Sequence, residues 1–237
     1  MERICYNIYR NHIKEGDRVI RAVIFDLEGV LVSTEDSHFR AWKQMTMEQG
    51  LPFDEHVYQK IRGNGRMDAL DIILKTARRN YSPAEKYALT ARKNDLYIEE
   101  ISMLNSEMML PGALDTIRAL REMDVKIGVA SSSKNCIAIL KKLGIRRMVD
   151  AVSDGNDIVR PEPDPEGYFL CAQRLNVVPE ECLVVEDTLN GITAATNAGM
   201  FTLAVGEAAN DKRAGMRAKD LAHFDLPGLI ACRKNSK

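Results

Sequence analysis

The sequence predicts an α/β fold: a mostly parallel sheet with helices on both faces, and an all-helical domain inserted after the first strand. Three observations predict it. From Leu110 onward, short apolar runs alternate with segments of helical period, the order that builds a parallel sheet. One earlier run, AVIF at 22–25, reads as a buried strand. Between the two, residues 34–105 carry helical stripes and no strong strand signal.

Residues 1–18 are polar and without period, and read as an N-terminal extension. The first strand follows at roughly 20–27. In the inserted domain, Phe39, Trp42, Met45 and Met47 approximate a helical stripe that ends at Gly50-Leu-Pro52. Ala69, Ile72, Ile73, Thr76 and Ala77 make a second stripe, and Pro83 opens a third through Leu89, Leu96 and Ile101. The core then resumes, so that it comprises residues 19–33 and 106–237. Pro111-Gly112 starts a helix carrying Leu114, Ile117 and Leu120. Strands are expected at 125–130, 149–152, 182–185 and 200–205, with helices at 134–143, 168–175 and 189–198 between them. Gly144 and Gly199 stop two of those helices.

Composition bounds the function. Of 237 residues, 45% are hydrophobic and 28% charged, as in an ordinary soluble protein. A net charge of −1 gives no reason to expect nucleic acid or an anionic membrane as partner. No apolar run reaches the length of a membrane span, and the N-terminus lacks the pattern of a signal peptide. Five cysteines, an odd number with no close pair, read as reduced thiols rather than a disulfide framework or zinc site. A cytoplasmic monomer is the expectation.

The chemistry gathers at strand ends. After AVIF come Asp26 and Glu28, two residues apart and so on one side if strand geometry persists, followed by Gly29, which allows a sharp turn. Carboxylates at the carboxyl end of a buried strand stand where open α/β sheets bind ligands. The strand at 125–130 runs into Ser131, Ser133, Lys134 and Asn135, hydroxyls and an ammonium suited to a phosphate. The serines could instead cap the next helix, but Lys134 adds a cation where capping needs none. The strand at 182–185 runs into Glu186 and Asp187, a pair suited to Mg²⁺, a hard ion that wants oxygen ligands; Asp187 or Thr188 as a helix cap is the alternative. Together these suit Mg²⁺-assisted phosphoryl transfer to a carboxylate.

In these motifs the chain resembles the haloacid dehalogenase superfamily. FDLEG at 25–29, SSSKN at 131–135 and VVEDTLNGITAATNAG at 184–199 resemble its first, second and fourth motifs. HFRAWK at 38–43, IRGNGRMDAL at 61–70 and RKND at 92–95 are similar to its β-phosphoglucomutase branch. The resemblance implies a Rossmann-like core with a helical cap domain at 34–105. It implies Asp26 as the nucleophile forming an aspartyl-phosphate, and Glu28 at the acid/base position with its carbonyl on Mg²⁺. Glu186 and Asp187 complete the metal site. Ser131 and Lys134 hold the transferring phosphate, with Ser133 and Asn135 beside them. Arg66 grips a second phosphate, with Gly63 and Asn64 in the same loop, while His38 and Lys93 contact the sugar or steer closure. From spacing alone, His38, Arg66 and Lys93 read as helix-surface residues and Trp42 as core.

The chain departs from the family pattern at two points. Glu28 stands where the family usually has Asp, and the added methylene moves the carboxylate by about 1.5 Å unless the backbone shifts. A misplacement near 1 Å can cost roughly 100-fold in rate. The loop pattern Lys-Pro-x-Pro reads either as Arg160-Pro-Glu-Pro or as Glu162-Pro-Asp-Pro, and spacing favours the second. An acid there repels its neighbours by about 4 kcal/mol at 4 Å and an effective dielectric near 20. Arg160 is therefore expected to reach in and balance the charge. The expected function is phosphoglucomutase-type isomerisation of a hexose phosphate with Mg²⁺. A sugar-phosphate phosphatase and a degenerate, non-catalytic binding protein are the alternatives.

Overall fold

The structure, a computed structural model, describes residues 19–212 and 214–234; the expected extension at 1–18 lies outside them. The chain divides into two compact units, one of residues up to Ser33 and from Asn105 onward, the other of Thr34–Leu104. In chain order, β1 (Ala22–Phe25) precedes four helices, α1 (Glu35–Glu48), α2 (Glu55–Ile61), α3 (Arg66–Leu74) and α4 (Pro83–Ile101). Then come α5 (Ala113–Glu122), β2 (Lys126–Ala130), α6 (Cys136–Lys142), β3 (Ala151–Ser153) and α7 (Glu166–Leu175). The chain continues through β4 (Cys182–Glu186), α8 (Leu189–Asn197), β5 (Phe201–Ala204), β6 (Met216–Arg217) and α9 (Leu226–Lys234).

The sheet has the order β3-β2-β1-β4-β5-β6 and every pair is parallel. All four residues of β1 are buried, as a central parallel strand covered on both faces requires. On one face Ala22 and Ile24 share a core with Tyr168, Cys171, Ala172, Ala194 and Ala195 from α7 and α8. Helix α7 lies so close to β2 that a Cβ on Gly128 would come within 2.5 Å of the Cys171 sulfur. That contact explains a glycine in the middle of a strand. The path runs from β1 outward through β2 and β3, then returns to place β4 on the other side of β1. Such a reversal opens a crevice at the carboxyl ends of the two central strands, where α/β sheets bind their ligands.

In the helical unit, α1 packs along α4, burying Trp42, Met45, Leu89, Leu96 and Tyr97. Helix α4 starts where Pro83 was expected to open it. Ser82 accepts from Glu85 N while the Glu85 carboxylate accepts from Ser82 N, with Pro83 in the first turn. Three elements were not foreseen: α2, which is short, β6, which extends the sheet, and α9, which packs on α5. Among the described residues no helix is long and apolar enough to cross a membrane.

Candidate active site

Parallel register brings the strand-end acids together. Phe25 is level with Val129 of β2 and Val185 of β4, and Asp26 N donates to Val185 O at 3.0 Å. Asp26 therefore stands beside Glu186 at the crevice. The chain then folds back at once. Leu31 N and Val32 N both donate to Leu27 O, at 3.0 and 3.1 Å, around Gly29 at φ +78°. A Cβ on Gly29 would lie 1.9 Å from Asp187 Oδ2, so this glycine both turns the chain and admits Asp187 to the loop. Carboxylate oxygens of Asp26, Glu186 and Asp187 all lie within 4.8 Å of one another. Thr188 fixes Glu186 by donating from its hydroxyl to Oε2 at 2.9 Å, and accepts from Gly191 N at 3.0 Å as the cap of α8. The cap is thus Thr188, and Asp187 is left for the acid cluster.

Burial, together with Glu186, Glu162 and Asp187, pushes the Asp26 carboxyl well above its ordinary range. Burial and Glu162 push Glu186 up likewise. Three close carboxylates, two of which disfavour their own charge, fit a hard divalent ion. Glu28 is half-buried and its side chain is not in that group. Strand geometry ends at Phe25, so a turn, not a shared strand face, places Glu28.

The loop after β2 is braced by its own hydroxyls. Ser131 N donates to Ser153 O at 3.0 Å, Ser131 Oγ accepts from Ser133 N, and Ser133 Oγ accepts from Asn135 N, both at 3.2 Å. Ser131 is buried and Lys134 is exposed. Asn135 stands before α6 without a side-chain cap bond.

The expectation for Arg160 is corrected here. Its guanidinium is 68% exposed and faces Asp164 and Glu166 at 3.5 and 3.4 Å. These two acids of its own loop hold it outside. Glu162 instead joins the cluster: burial and Asp187 raise its carboxyl to about 7.

The helical unit holds a second cluster, of opposite sign. Lys93, only 2% exposed, donates from Nζ to His38 Nδ1 at 2.7 Å. The imidazole is therefore neutral with its proton on Nε2, in keeping with a pKa lowered to about 3 by burial, Lys93 and Arg66. The Lys93 ammonium also lies 5.2 Å from the Trp42 ring centroid and 4.7 Å from that of Tyr97. His38 stacks on Tyr97 at 4.0 Å, and the Tyr97 hydroxyl bonds Thr34 Oγ1 at 2.8 Å. Arg66 begins α3 after Gly65 and donates to Asn94 Oδ1 at 2.8 Å. Gly63, at φ +77°, and Asn64 are exposed in the preceding turn. Thr188 was foreseen as a cap; sequence reasoning gave no role to Asn94, Tyr97 and Tyr168. Of these, Tyr97 had a usable signal, since it falls beside Leu96 on the buried stripe that also carries Leu89 and Lys93.

The comparisons agree with this geometry. The model of the haloacid dehalogenase-like hydrolases matches residues 20–199. A β-phosphoglucomutase of Bacillus subtilis is 38% identical over 190 residues, 79% of this chain and 84% of its own. A phosphorylated carbohydrates phosphatase of Thermotoga maritima is 30% identical over 208 residues, 86% of this chain and 93% of its own. The crystal structure of β-phosphoglucomutase from Clostridium difficile superposes with a TM-score of 0.79 at 32% identity, covering 91% of this chain and 97% of that one. Fold, acid cluster and relatives converge on one conclusion: the chain is an enzyme of the haloacid dehalogenase superfamily, in its β-phosphoglucomutase-like branch.

Proposed function

We propose that the protein is a phosphomutase that isomerises a hexose phosphate through a sugar bisphosphate and an aspartyl-phosphate on Asp26. One observation carries the choice of mutase over phosphatase. In the helical unit, Arg66 and Lys93 have neutral hydrogen-bond partners, Asn94 and His38. Two cations without a carboxylate to answer them suit a second phosphate. A phosphatase needs one phosphate place; a bisphosphate intermediate needs two.

In the forward direction an acceptor hydroxyl of the sugar monophosphate attacks the phosphorus of the aspartyl-phosphate. Its proton passes to the Glu28 carboxylate, the P–O bond to Asp26 breaks, and the bisphosphate forms. Asp26 then attacks the other phosphorus. Glu28, now protonated, delivers its proton to the departing sugar oxygen, and the nucleophile is phosphorylated again. Ser131 and Lys134 would hold the phosphate being transferred. Mg²⁺ held by Asp26, Glu186, Asp187 and the Glu28 carbonyl would offset carboxylate repulsion and keep Asp26 ionised.

The test is an Mg²⁺ assay with β-glucose 1-phosphate and a trace of glucose 1,6-bisphosphate, following glucose 6-phosphate and free phosphate together. Glucose 6-phosphate without matching free phosphate is expected. Free phosphate alone would transfer the chain to the sugar-phosphate phosphatases, the reading that the Thermotoga relative favours.

A further inference from the structure

The loop after β3 is built onto the serine-lysine loop after β2. Ser131 N donates to Ser153 O at 3.0 Å, and Gly155 N donates to Ser133 O at 3.3 Å. A Cβ on Gly155 would lie 2.1 Å from Ser132 O and 3.1 Å from Lys134 Cγ, so glycine is what lets the two loops touch there. The side chain of Asn156 closes the contact by donating from Nδ2 to Lys134 O at 3.1 Å. Three successive carbonyls, of Ser132, Ser133 and Lys134, thus rest on residues 155–156, and the stem of Lys134 lies against the same glycine.

Asn156 is exposed, yet its amide is held in one orientation. The Asp154 carboxylate, in a residue only 4% exposed, accepts at Oδ1 from Asn156 N at 2.9 Å and from Asn156 Nδ2 at 3.0 Å. A carboxylate accepts and does not donate, so it sets the nitrogen of the amide, and not the oxygen, at the junction with Lys134 O. Asp154 is held in turn. Its N donates to Asp157 Oδ2 at 3.1 Å, and the same Asp157 oxygen accepts from Arg174 Nη1 of α7 at 2.6 Å. Arg174, Asp157, Asp154 and Asn156 therefore link a helix packed on the sheet to the backbone of Lys134. None of the four lies in the motifs at 25–29, 131–135 or 184–199.

The geometry points to Asn156 as a positioning residue for Lys134: its amide fixes the Lys134 carbonyl, and with it the point from which the ammonium reaches the transferring phosphate. This rests on the reading of Lys134 as a holder of that phosphate, a reading that mutase and phosphatase share. Lys134 is exposed and makes no ion pair among the described residues, so its backbone and stem are what order it. An ammonium on a flexible four-carbon stem gains most from a fixed origin, and a misplacement near 1 Å can cost roughly 100-fold in rate.

The experiment is a double-mutant cycle on the full chain with Mg²⁺. It reads the rate at which acetyl phosphate phosphorylates Asp26 and releases acetate. Because Asn156 is a surface residue, its replacement spares the core. Asn156→Ala should slow phosphorylation roughly 10-fold in the wild-type background, and by less than about twofold in a Lys134→Ala background. Asn156→Asp keeps the shape but sets an acceptor against Asp154 and the Lys134 carbonyl, and should lose at least as much. An equal loss in both backgrounds would overturn the proposal, since a general structural fault does not depend on Lys134. So would an unchanged rate in Asn156→Ala, or a full rate in Asn156→Asp. No loss from Lys134→Ala alone would overturn it together with the place of Lys134 at the phosphate, while the product assay above judges the mutase reading separately.

Discussion

The acid cluster of the α/β unit and the base cluster of the helical unit share one electrostatic state, reached by different construction. Asp26 and Glu186 are raised, and His38 and Lys93 are lowered, in each case first by burial and then by like charge. The acids come from two distant stretches, the ends of β1 and β4, and are aligned by backbone register, which leaves their oxygens facing a crevice. The bases come from two packed helices and are wrapped in side chains, with Trp42 and Tyr97 about the ammonium and a neutral imidazole accepting from it. Strand ends thus present charge for a ligand to neutralise. Helix packing partly neutralises its own charge, and in the proposed reading what remains is the place for a second phosphate.

The sharpest way to break this contrast is Asp26→Asn, which keeps the shape and removes the nucleophile. Turnover should fall by about 10⁵-fold, and no phosphorylated protein should be trapped from labelled sugar phosphate. Labelled protein in the variant would remove Asp26 from its role. On the other side, Arg66→Ala should lower kcat/KM for the bisphosphate by roughly 100-fold, about 3 kcal/mol of charge-assisted contact. Phosphorylation of Asp26 by acetyl phosphate should be unaffected, and an equal loss in both assays would argue for a general structural fault.

Lys93 offers a stability test. Burial, then Arg66, holds its ammonium at a pKa of about 7 against an ordinary 10.5. Between those values the unfolded chain keeps the proton and the folded chain does not, so this residue makes stability rise with pH. Below pH 7 the whole cost of burying the charge remains. Lys93→Met should therefore stabilise the fold at pH 6 by roughly 2–3 kcal/mol, with the gain shrinking toward pH 10. Denaturant titrations of both proteins at the two pH values check this, and a gain that does not change with pH contradicts it. The smallest effect belongs to Arg160→Ala. Because the guanidinium is solvent-facing, stability should move by no more than about 0.5 kcal/mol. Turnover should also stay within about twofold, and a large loss would restore Arg160 to the site.

How far the sequence could be read depended on whether a feature was local. The central strands were legible because AVIF and the runs at 125–130 and 182–185 are apolar on both faces, as parallel strands must be. β6 has only two residues and α9 contains Pro227 and Gly228, so neither shows a period. Asp26, Glu186 and Asp187 were legible as strand-end acids. Arg160 was misjudged because sequence order cannot show that Asp164 and Glu166 fold back onto it. Tyr168 sits among apolar positions at the start of α7 and reads as plain core; only its buried hydroxyl, unpaired among the described residues, marks it. Lys93 carried a signal in plain view, a lysine four residues after Leu89 and three before Leu96, on the buried face of α4.

The central claim is that the base cluster retains a second phosphate, so that the aspartyl-phosphate passes to a sugar hydroxyl and not to water. The direct measurement is the ratio of glucose 6-phosphate to free phosphate formed from β-glucose 1-phosphate by the wild type and by Arg66→Ala. The account expects isomer to dominate in the wild type and the ratio to shift at least about 10-fold toward free phosphate in the variant. An unchanged ratio with only a slower rate would contradict it.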